Sequence, residues 1–355
     1  MTSATFIMAG GGTGGHVIPA LAVAKELRAR GHAVRFIGTR RGIEAKLAPA
    51  AGFPIDWIEI GGLNRVGFSQ TLKSLMELPF SVMHASRMIA RAKPAAIFSM
   101  GGYVAGPVLL AAIWKRIPVV AMEPNAIPGF THRRLAHFIA KALVSFEETL
   151  RYFPKGRAEV TGRPVRDEFF AIPPKPRSAV LTVLITGGSQ GSRTLNRAAA
   201  ESWPLWKKNS VRLVHQTGER EYADLATKFK VSGVAGEIAP FFDDMPKAFA
   251  EADLIVSRSG GTVSEIAASG KPSILVPFPG AADQHQLRNA EAFERAGAAR
   301  LVLDAEMTGA RLVDEVTKLA SEPGRLEEMA KQARALARPG AAKRAADVLE
   351  GFISN

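Results

Sequence analysis

Along the chain, short runs of apolar residues enter glycine-rich turns and are followed by stretches in which apolar positions recur at helical spacing. Residues 5–9 (Thr-Phe-Ile-Met-Ala) are the first such run and lead directly into Gly10-Gly-Gly-Thr-Gly-Gly15. An apolar run of this length with no polar alternation predicts a strand buried on both faces. From His16 onward, Ile18, Leu21, Ala22, Ala24 and Leu27 fall near one helical face until Gly31, a helix stop, and residues 33–37 predict a second strand. Further apolar runs at 95–100, 118–122, 142–146 and 158–161 alternate with helical stretches. Alternation of this kind predicts a parallel sheet covered by helices on both faces.

The pattern then stops and restarts. Residues 170–176 (Phe-Ala-Ile-Pro-Pro-Lys-Pro) continue neither a helix nor a central strand, and mark the expected domain boundary. After them come an apolar run at 181–186, a second glycine turn, Gly187-Gly-Ser-Gln-Gly191, a helix carrying Leu195 and residues 198–200, and a strand at 211–215. The opening motif has thus recurred with an offset of 177 positions, Gly10 to Gly187. Runs at 254–257 and 273–277 extend the second sheet, and the tail from Arg325 is helical in pattern apart from Pro339-Gly340. Two similar α/β halves joined by a hinge are expected, with ligands beyond the carboxyl ends of the strands in a cleft between them.

Composition agrees with two globular domains: 355 residues, 47% hydrophobic, 22% charged. The absence of cysteine excludes disulfides, thiolate-held zinc and a cysteine nucleophile. The longest apolar run, residues 104–114, is too short to span a bilayer, and the N-terminus lacks a basic start and apolar core, so a cytosolic chain without a spanning helix is expected. Charge adds more. Of a net +13, residues 1–165 carry +12 (21 Lys/Arg against 9 Asp/Glu) and the remainder +1 (25 against 24). Confinement of the excess to one half points to an anionic partner of that half: nucleic acid, membrane or phosphorylated ligand.

The glycines of residues 10–15 let the backbone turn sharply and leave amides at a helix start, where a phosphate is the expected guest. The motif lacks the Lys-Ser/Thr ending of a Walker loop, and the second strand ends Ile37-Gly38-Thr39-Arg40 without an acid for a ribose, so nucleotide hydrolysis and NAD binding both lose ground. His16 follows directly, where a helix N-terminus disfavours the charged imidazole and leaves it able to accept a proton. A hydrogen-bonded loop histidine is the alternative. Glu123 and Asn125, after an apolar strand, and Tyr103 in Gly101-Gly-Tyr103 are expected to face the same cleft, Glu123 either orienting His16 or acting as a base itself. In the second half, Ser189 offers a hydroxyl to a phosphate oxygen, and Arg258-Ser-Gly-Gly-Thr-Val-Ser-Glu265 offers amides and Thr262 at a helix start. Glu265 either grips the vicinal hydroxyls of a ribose or complements the helix dipole. Asp283-Gln-His-Gln286 suits sugar hydroxyls. Together these pieces describe a site for a nucleoside-diphosphate sugar.

The residues Gly10-Gly-Gly-Thr-Gly-Gly-His16, Gly101-Gly-Tyr103, Glu123 with Asn125, Thr161-Gly-Arg-Pro-Val-Arg166, Gly187-Gly-Ser-Gln-Gly191, Arg258-Ser-Gly260, Thr262-Val-Ser-Glu265, and His285-Gln286 with Asn289-Ala290 resemble, in type and order over nearly the whole chain, the MurG family of bacterial N-acetylglucosaminyltransferases. The resemblance implies a GT-B fold: two Rossmann-like α/β domains whose parallel sheets face across a cleft. Residues 1–165, rejoined by a last helix at 340–355, would form the acceptor and membrane-facing domain, and residues 166–339 the donor domain. It also implies a UDP-N-acetylglucosamine donor touched by Thr13, Gly14, Gly15, Asn125, Arg166, Ser189, Phe242, Thr262, Glu265, His285 and Gln286. Glu265 would hold the ribose, Ser189 and Thr262 the diphosphate, His285 and Gln286 the sugar, and the Phe242 backbone the uracil. The chain departs from the family's usual pattern at Met122 and Pro124, at Arg163, and by one residue fewer between Gly260 and Thr262.

The implied reaction is inverting attack of the muramyl 4-hydroxyl of lipid I on the anomeric carbon, UDP departing, to give lipid II in peptidoglycan synthesis. His16 is the expected base with Glu123 as rival, and helix-start amides with Ser189 and Thr262 would stabilise the leaving diphosphate. No cofactor and no obligatory metal are expected. Leu72, Leu75, Met76, Phe80 and Met83, flanked by Lys73, Arg87, Arg91 and Lys93 and joined by Trp114-Lys115-Arg116, predict either a patch resting on anionic lipid at the cytoplasmic face of the inner membrane or ordinary core packing. A nucleic-acid binder leaves the duplicated glycine turns unexplained and lacks a recognisable module. The alternative with the same architecture is a sugar-nucleotide epimerase.

Overall fold

The computed structural model describes residues 3–60, 68–176, 178–206, 210–281 and 284–353, with side chains of residues 68–76 outside the described set. The chain divides into two compact units, Met1–Val165 with Arg338–Asn355, and Arg166–Ala337.

The first unit is built on seven parallel strands, β1 (Thr5–Gly10), β2 (Ala33–Gly38), β3 (Ile55–Trp57), β4 (Ala96–Gly101), β5 (Val119–Glu123), β6 (Lys141–Val144) and β7 (Ala158–Val160), in the order 3-2-1-4-5-6-7. Successive side chains of a strand point to opposite faces, and β1 shows it: Phe6 and Met8 join one buried cluster, Ile7 and Ala9 another. On the first face lie Ala20, Val23 and Leu27 of helix Gly14–Ala29 together with Ala345, Ala346 and Leu349 of the last helix, Ala341–Glu350. Arg30 ties that helix down through Asp347 (2.6 Å) and Glu350 (2.7 Å), while His32 bonds Glu350 at 2.8 Å. On the second face lie Ala85 and Ile89 of helix Phe68–Ala92 and the apolar helix Gly102–Trp114, whose Val104, Ala105, Val108, Leu109, Ala111 and Ala112 are all buried. The longest apolar run of the chain is therefore a core helix, and among the described residues no helix is long and apolar enough to cross a membrane.

The second unit repeats the plan with six parallel strands, β8 (Leu181–Thr186), β9 (Val211–Gln216), β10 (Ala235–Ala239), β11 (Leu254–Ser257), β12 (Ser273–Leu275) and β13 (Ala299–Leu301), in the order 10-9-8-11-12-13. Its core gathers Val183, Ile185, Leu213, Val256 and Ile274 of the sheet with Leu195, Leu312, Val316 and Met329 of the covering helices.

Three details differ from the sequence expectation. The first helix begins at Gly14, with Thr13 extended at its N-cap, so His16 is already inside the helix. Strands β3, β10 and β13 were not expected, and each lies at the edge of its sheet. The two units part between Val165 and Arg166, so the proline-rich segment at 170–176, which the apolar pattern marked as the boundary, lies within the second unit. Residues Asp167–Phe170 form a short helix whose Phe169 is fully buried, its ring edge-on to Phe249 with centroids 5.0 Å apart.

In each sheet the strand order reverses at one point, between β1 and β4 and between β8 and β11. Open α/β sheets bind ligands beyond the carboxyl ends of the strands at this switch. Residues 10–16 follow β1, residues 101–103 end β4 and begin its helix, residues 187–191 follow β8 and residues 258–265 follow β11.

Candidate functional site

In the first unit the two glycine turns converge on His16. A methyl group at Gly102 would lie 3.5 Å from its imidazole, and the Tyr103 ring packs against Gly12, 2.9 Å from where a side chain there would begin. His16 is half-buried, and its Nδ1 lies 3.3 Å from both the Gly11 carbonyl and Thr13 Oγ1. A carbonyl only accepts, so Nδ1 carries the proton and Nε2 keeps the lone pair. Desolvation lowers the imidazole pKa below its ordinary value of 6.5, and the Arg163 guanidinium pushes it further in the same direction; Glu123 opposes both. Arg163 also donates from Nη2 to the Gly15 carbonyl at 2.8 Å, fixing the first turn of the helix. Thr13 and Gly15 are exposed, and Gly14 is half-buried.

Glu44 has no counterpart in the sequence reading. Fully buried beneath the loop, its carboxylate accepts from the Gly12 amide (2.8 Å), the Thr39 amide (2.9 Å) and Thr39 Oγ1 (3.0 Å). Within this loop the Gly12 amide thus already has an anionic partner in the protein. The glycines at 11 and 42 follow from the same contact, since a side chain would begin 2.3 Å and 2.0 Å from the Glu44 carboxylate. In sequence, Glu44 looks like any acid in the first turn of a helix complementing the dipole, and nothing in the periodicity marks it.

Glu123, at the end of β5, is buried and its acceptor capacity is fully used. Its Oε1 accepts from the Asn125 amide (3.1 Å) and Asn125 Nδ2 (3.0 Å); its Oε2 accepts from the Gly129 amide (3.0 Å) and from His132 Nδ1 (3.0 Å). His132 in turn faces Ser99 Oγ at 3.0 Å through Nε2, and Ser99 Oγ accepts from the Gly101 amide at 3.1 Å. Glu123 and Asn125 are thus held together, and the chain Glu123, His132, Ser99 runs to the second glycine turn. Tyr103 Oη lies 3.5 Å from Thr39 Oγ1.

In the second unit, Ser189 sits exposed in a turn closed by Gly191 donating to the Gly188 carbonyl (3.1 Å) and by the Gly188 amide bonding Thr186 Oγ1 (3.1 Å). Gly191 has φ 72° and lies so close to Thr217 that a side chain would begin 2.0 Å from its carbonyl oxygen. Ser192 caps the following helix, Arg193–Ser202, by accepting from the Leu195 amide. Thr262 is the first residue of helix Thr262–Ser269 and Glu265 lies in its first turn, both half-buried. Arg258 is a brace, bonded to the Val276 and Pro277 carbonyls and to Asp304. His285 opens helix His285–Arg295; Gln286 accepts from the Phe278 amide (3.0 Å) through Oε1 and from Ser259 Oγ (2.7 Å) through its carbonyl. Asp283 lies outside the described residues. Arg166 is exposed, its guanidinium 5.1 Å from the Phe169 ring centroid, and Phe242 is half-buried. Beside these, Gln216 bonds both the glycine turn and the Phe242 amide, and His215 is kept neutral, burial pushing it down to about 4. Thr13, Gly14, Gly15, His16, Tyr103, Glu123 and Asn125 belong to the first unit; Arg166, Ser189, Phe242, Thr262, Glu265, His285 and Gln286 belong to the second.

Residues 6–144 match the glycosyltransferase family 28 N-terminal domain and residues 182–348 its C-terminal domain. The UDP-N-acetylglucosamine--N-acetylmuramyl-(pentapeptide) pyrophosphoryl-undecaprenol N-acetylglucosamine transferase of Solibacter usitatus is 60% identical over 352 residues, 98% of this chain and 96% of the relative. The crystal structure of Acinetobacter baumannii MurG superposes with a TM-score of 0.82 at 31% identity, covering 98% of this chain and 99% of that one. A UDP-GlcNAc 2-epimerase from Neisseria meningitidis, bound to UDP-GlcNAc, reaches a TM-score of 0.68 at 16% identity over 99% of this chain and all of that one, a likeness of fold alone.

Proposed function

The chain belongs to glycosyltransferase family 28, and from that membership we infer that it transfers N-acetylglucosamine from UDP-N-acetylglucosamine to the 4-hydroxyl of the muramyl sugar of lipid I, forming lipid II. The observation that carries this reading is the 60% identity, over 98% of the chain, to a transferase whose name states that donor and acceptor. At 16% identity the epimerase likeness supports the architecture only.

In this reading the first unit supplies the base. His16 Nε2 takes the proton from the acceptor hydroxyl as oxygen attacks the anomeric carbon and the bond to the UDP oxygen breaks. Its lowered pKa keeps the imidazole neutral at physiological pH, as a base must be. Glu123 is the weaker choice, since its oxygens are engaged by Asn125, Gly129 and His132. We assign to the second unit the donor: Ser189, the helix start at Thr262 and Arg166 to the diphosphate, Glu265 to the ribose, the Phe242 backbone to uracil, and His285 and Gln286 to the sugar. Amides at a helix start oppose negative charge without reorganising as it develops on the leaving diphosphate.

The acceptor is a lipid, and the first unit is proposed to rest peripherally on an anionic membrane surface at the cytoplasmic face. Phe80, Met83 and Trp114 are 70%, 43% and 73% exposed, which speaks against core packing for these three. Arg87, Arg91, Lys93, Lys115 and Arg116 are exposed around them, and an open depression between the two helix ends is lined by Ile89, Pro94, Trp114 and Ile117 together with Lys93 and Lys115. The side chains of Leu72, Lys73, Leu75 and Met76 lie outside the described set.

One assay tests the reaction. Incubation with radiolabelled UDP-N-acetylglucosamine and a lipid I analogue is expected to move label into the lipid. Isomerised nucleotide instead would establish epimerisation, and label remaining in unaltered nucleotide would overturn transfer.

A further inference from the structure

Gln216 ends β9 with a side chain 1% exposed and an amide engaged at both atoms. Its Nε2 donates to the Gly188 carbonyl at 3.1 Å and to Thr186 Oγ1 at 3.2 Å; its Oε1 accepts from the Phe242 amide at 3.0 Å. The orientation of the amide is fixed by chemistry, since a carbonyl only accepts and a backbone N–H only donates. Two segments distant in sequence therefore meet on one side chain: the end of β8 with the glycine turn that carries Ser189, and the loop that carries Phe242. The Gly188 carbonyl also receives the Gly191 amide at 3.1 Å, so the Gln216 bond falls on the hydrogen bond that closes the turn. Ser189 is exposed and Phe242 half-buried, so burial of their own side chains does little to hold the two loops.

We propose that Gln216 is a positioning residue for donor binding, setting the separation between the turn assigned to the diphosphate and the loop assigned to uracil. The inference rests on the donor-site assignment made above. Both loops persist without this side chain, but the ligand itself must then bring them into register. An ordering cost of that kind weakens binding and leaves the subsequent chemical step unaltered.

Gln216→Met keeps length and volume while removing donor and acceptor; Gln216→Glu keeps the acceptor toward Phe242 and turns an oxygen toward the Gly188 carbonyl. By titration calorimetry with UDP alone, Gln216→Met is expected to bind about tenfold more weakly than the parent chain, the scale of one to two lost buried hydrogen bonds. The KM for UDP-N-acetylglucosamine should rise by the same factor, with kcat and the acceptor KM unchanged. Gln216→Glu should lose UDP affinity as well, because the bond to the glycine turn is gone. Thermal melting of each variant without ligand separates folding from binding, and should one variant fail to fold, the other decides. UDP affinity within twofold of the parent in a folded variant, or a fall in kcat at constant donor KM, would overturn the inference. Failure of the parent chain itself to bind UDP would instead overturn the donor-site assignment.

Discussion

As the proposed base, His16 depends on its neighbours. Burial and the Arg163 guanidinium both hold its pKa below 6.5, with Glu123 pulling the other way. The neutral form is the base, so activity should be level near neutral pH and fall only as pH drops through a value below 6.5. Replacing Arg163 by Gln removes one of the depressing charges, and the acid limb of kcat/KM, measured with a soluble acceptor, is expected to move to higher pH. Arg163→Lys retains the charge and should leave the limb near its original place. An acid limb unmoved in Arg163→Gln, or moved to lower pH, would remove His16 from the role. His16 was legible in the sequence because its signal is local: a glycine motif, a helix start and a titratable ring within seven residues, 10–16. Glu44, His132 and Gln216 were not, and the reason is separation. Glu44 meets Gly12 across 32 positions, His132 meets Ser99 across 33 and Gln216 meets Phe242 across 26. Only the parallel sheets bring such partners together, and a buried carboxylate or amide has no periodicity of its own.

Interior strands were the legible ones, and of the edge strands only β7 was read. β1, β4, β5, β8 and β11 are interior to their sheets, packed on both faces, and read as near-continuous apolar runs. β3, β10 and β13 stand at sheet edges; Ala235–Ala239 is exposed over its first three residues, and Ala299–Leu301 places an exposed Arg300 at its centre. Edge strands need no continuous apolar run, and charge on them discourages pairing with other chains. Helix Phe68–Ala92 poses the opposite problem: its apolar spacing fits a core face and a lipid-facing surface equally well, and exposure decides between them. It carries Ala85 and Ile89 inward while Phe80, Met83, Arg87 and Arg91 stand exposed. A basic residue near an anionic bilayer contributes about 1 kcal/mol, so Arg87→Glu with Arg91→Glu is expected to weaken binding to phosphatidylglycerol vesicles by about thirtyfold or more, and most at low salt. Turnover of a soluble acceptor should be unaffected. Vesicle binding equal to that of the parent chain would dismiss the membrane assignment of this helix.

In the proposed assignment, the chain divides its chemistry as it divides its charge. The near-neutral second unit has a core of its own, running from Val183 to Met329, and it holds Ser189, Thr262, Glu265 and Gln286, assigned here to the donor. The basic excess belongs to residues 1–165, assigned to the lipid acceptor. A ligand that binds only the folded state stabilises what it binds by RT ln(1 + [L]/Kd), about 2.7 kcal/mol at a hundredfold excess over Kd. Hydrogen exchange with UDP at that excess is therefore expected to slow most within residues 166–337, and above all in the turn at 187–191, around Gln216 and Phe242, and at the start of helix Thr262–Ser269. Protection should track the opening free energy of each segment, so amides already closed in the centre of β8 will change least on the exchange timescale of the loops. Were UDP to protect residues 1–165 more strongly than residues 166–337, the division of labour between the units would be reversed, and His16 would have to be reconsidered as a donor contact in place of a base.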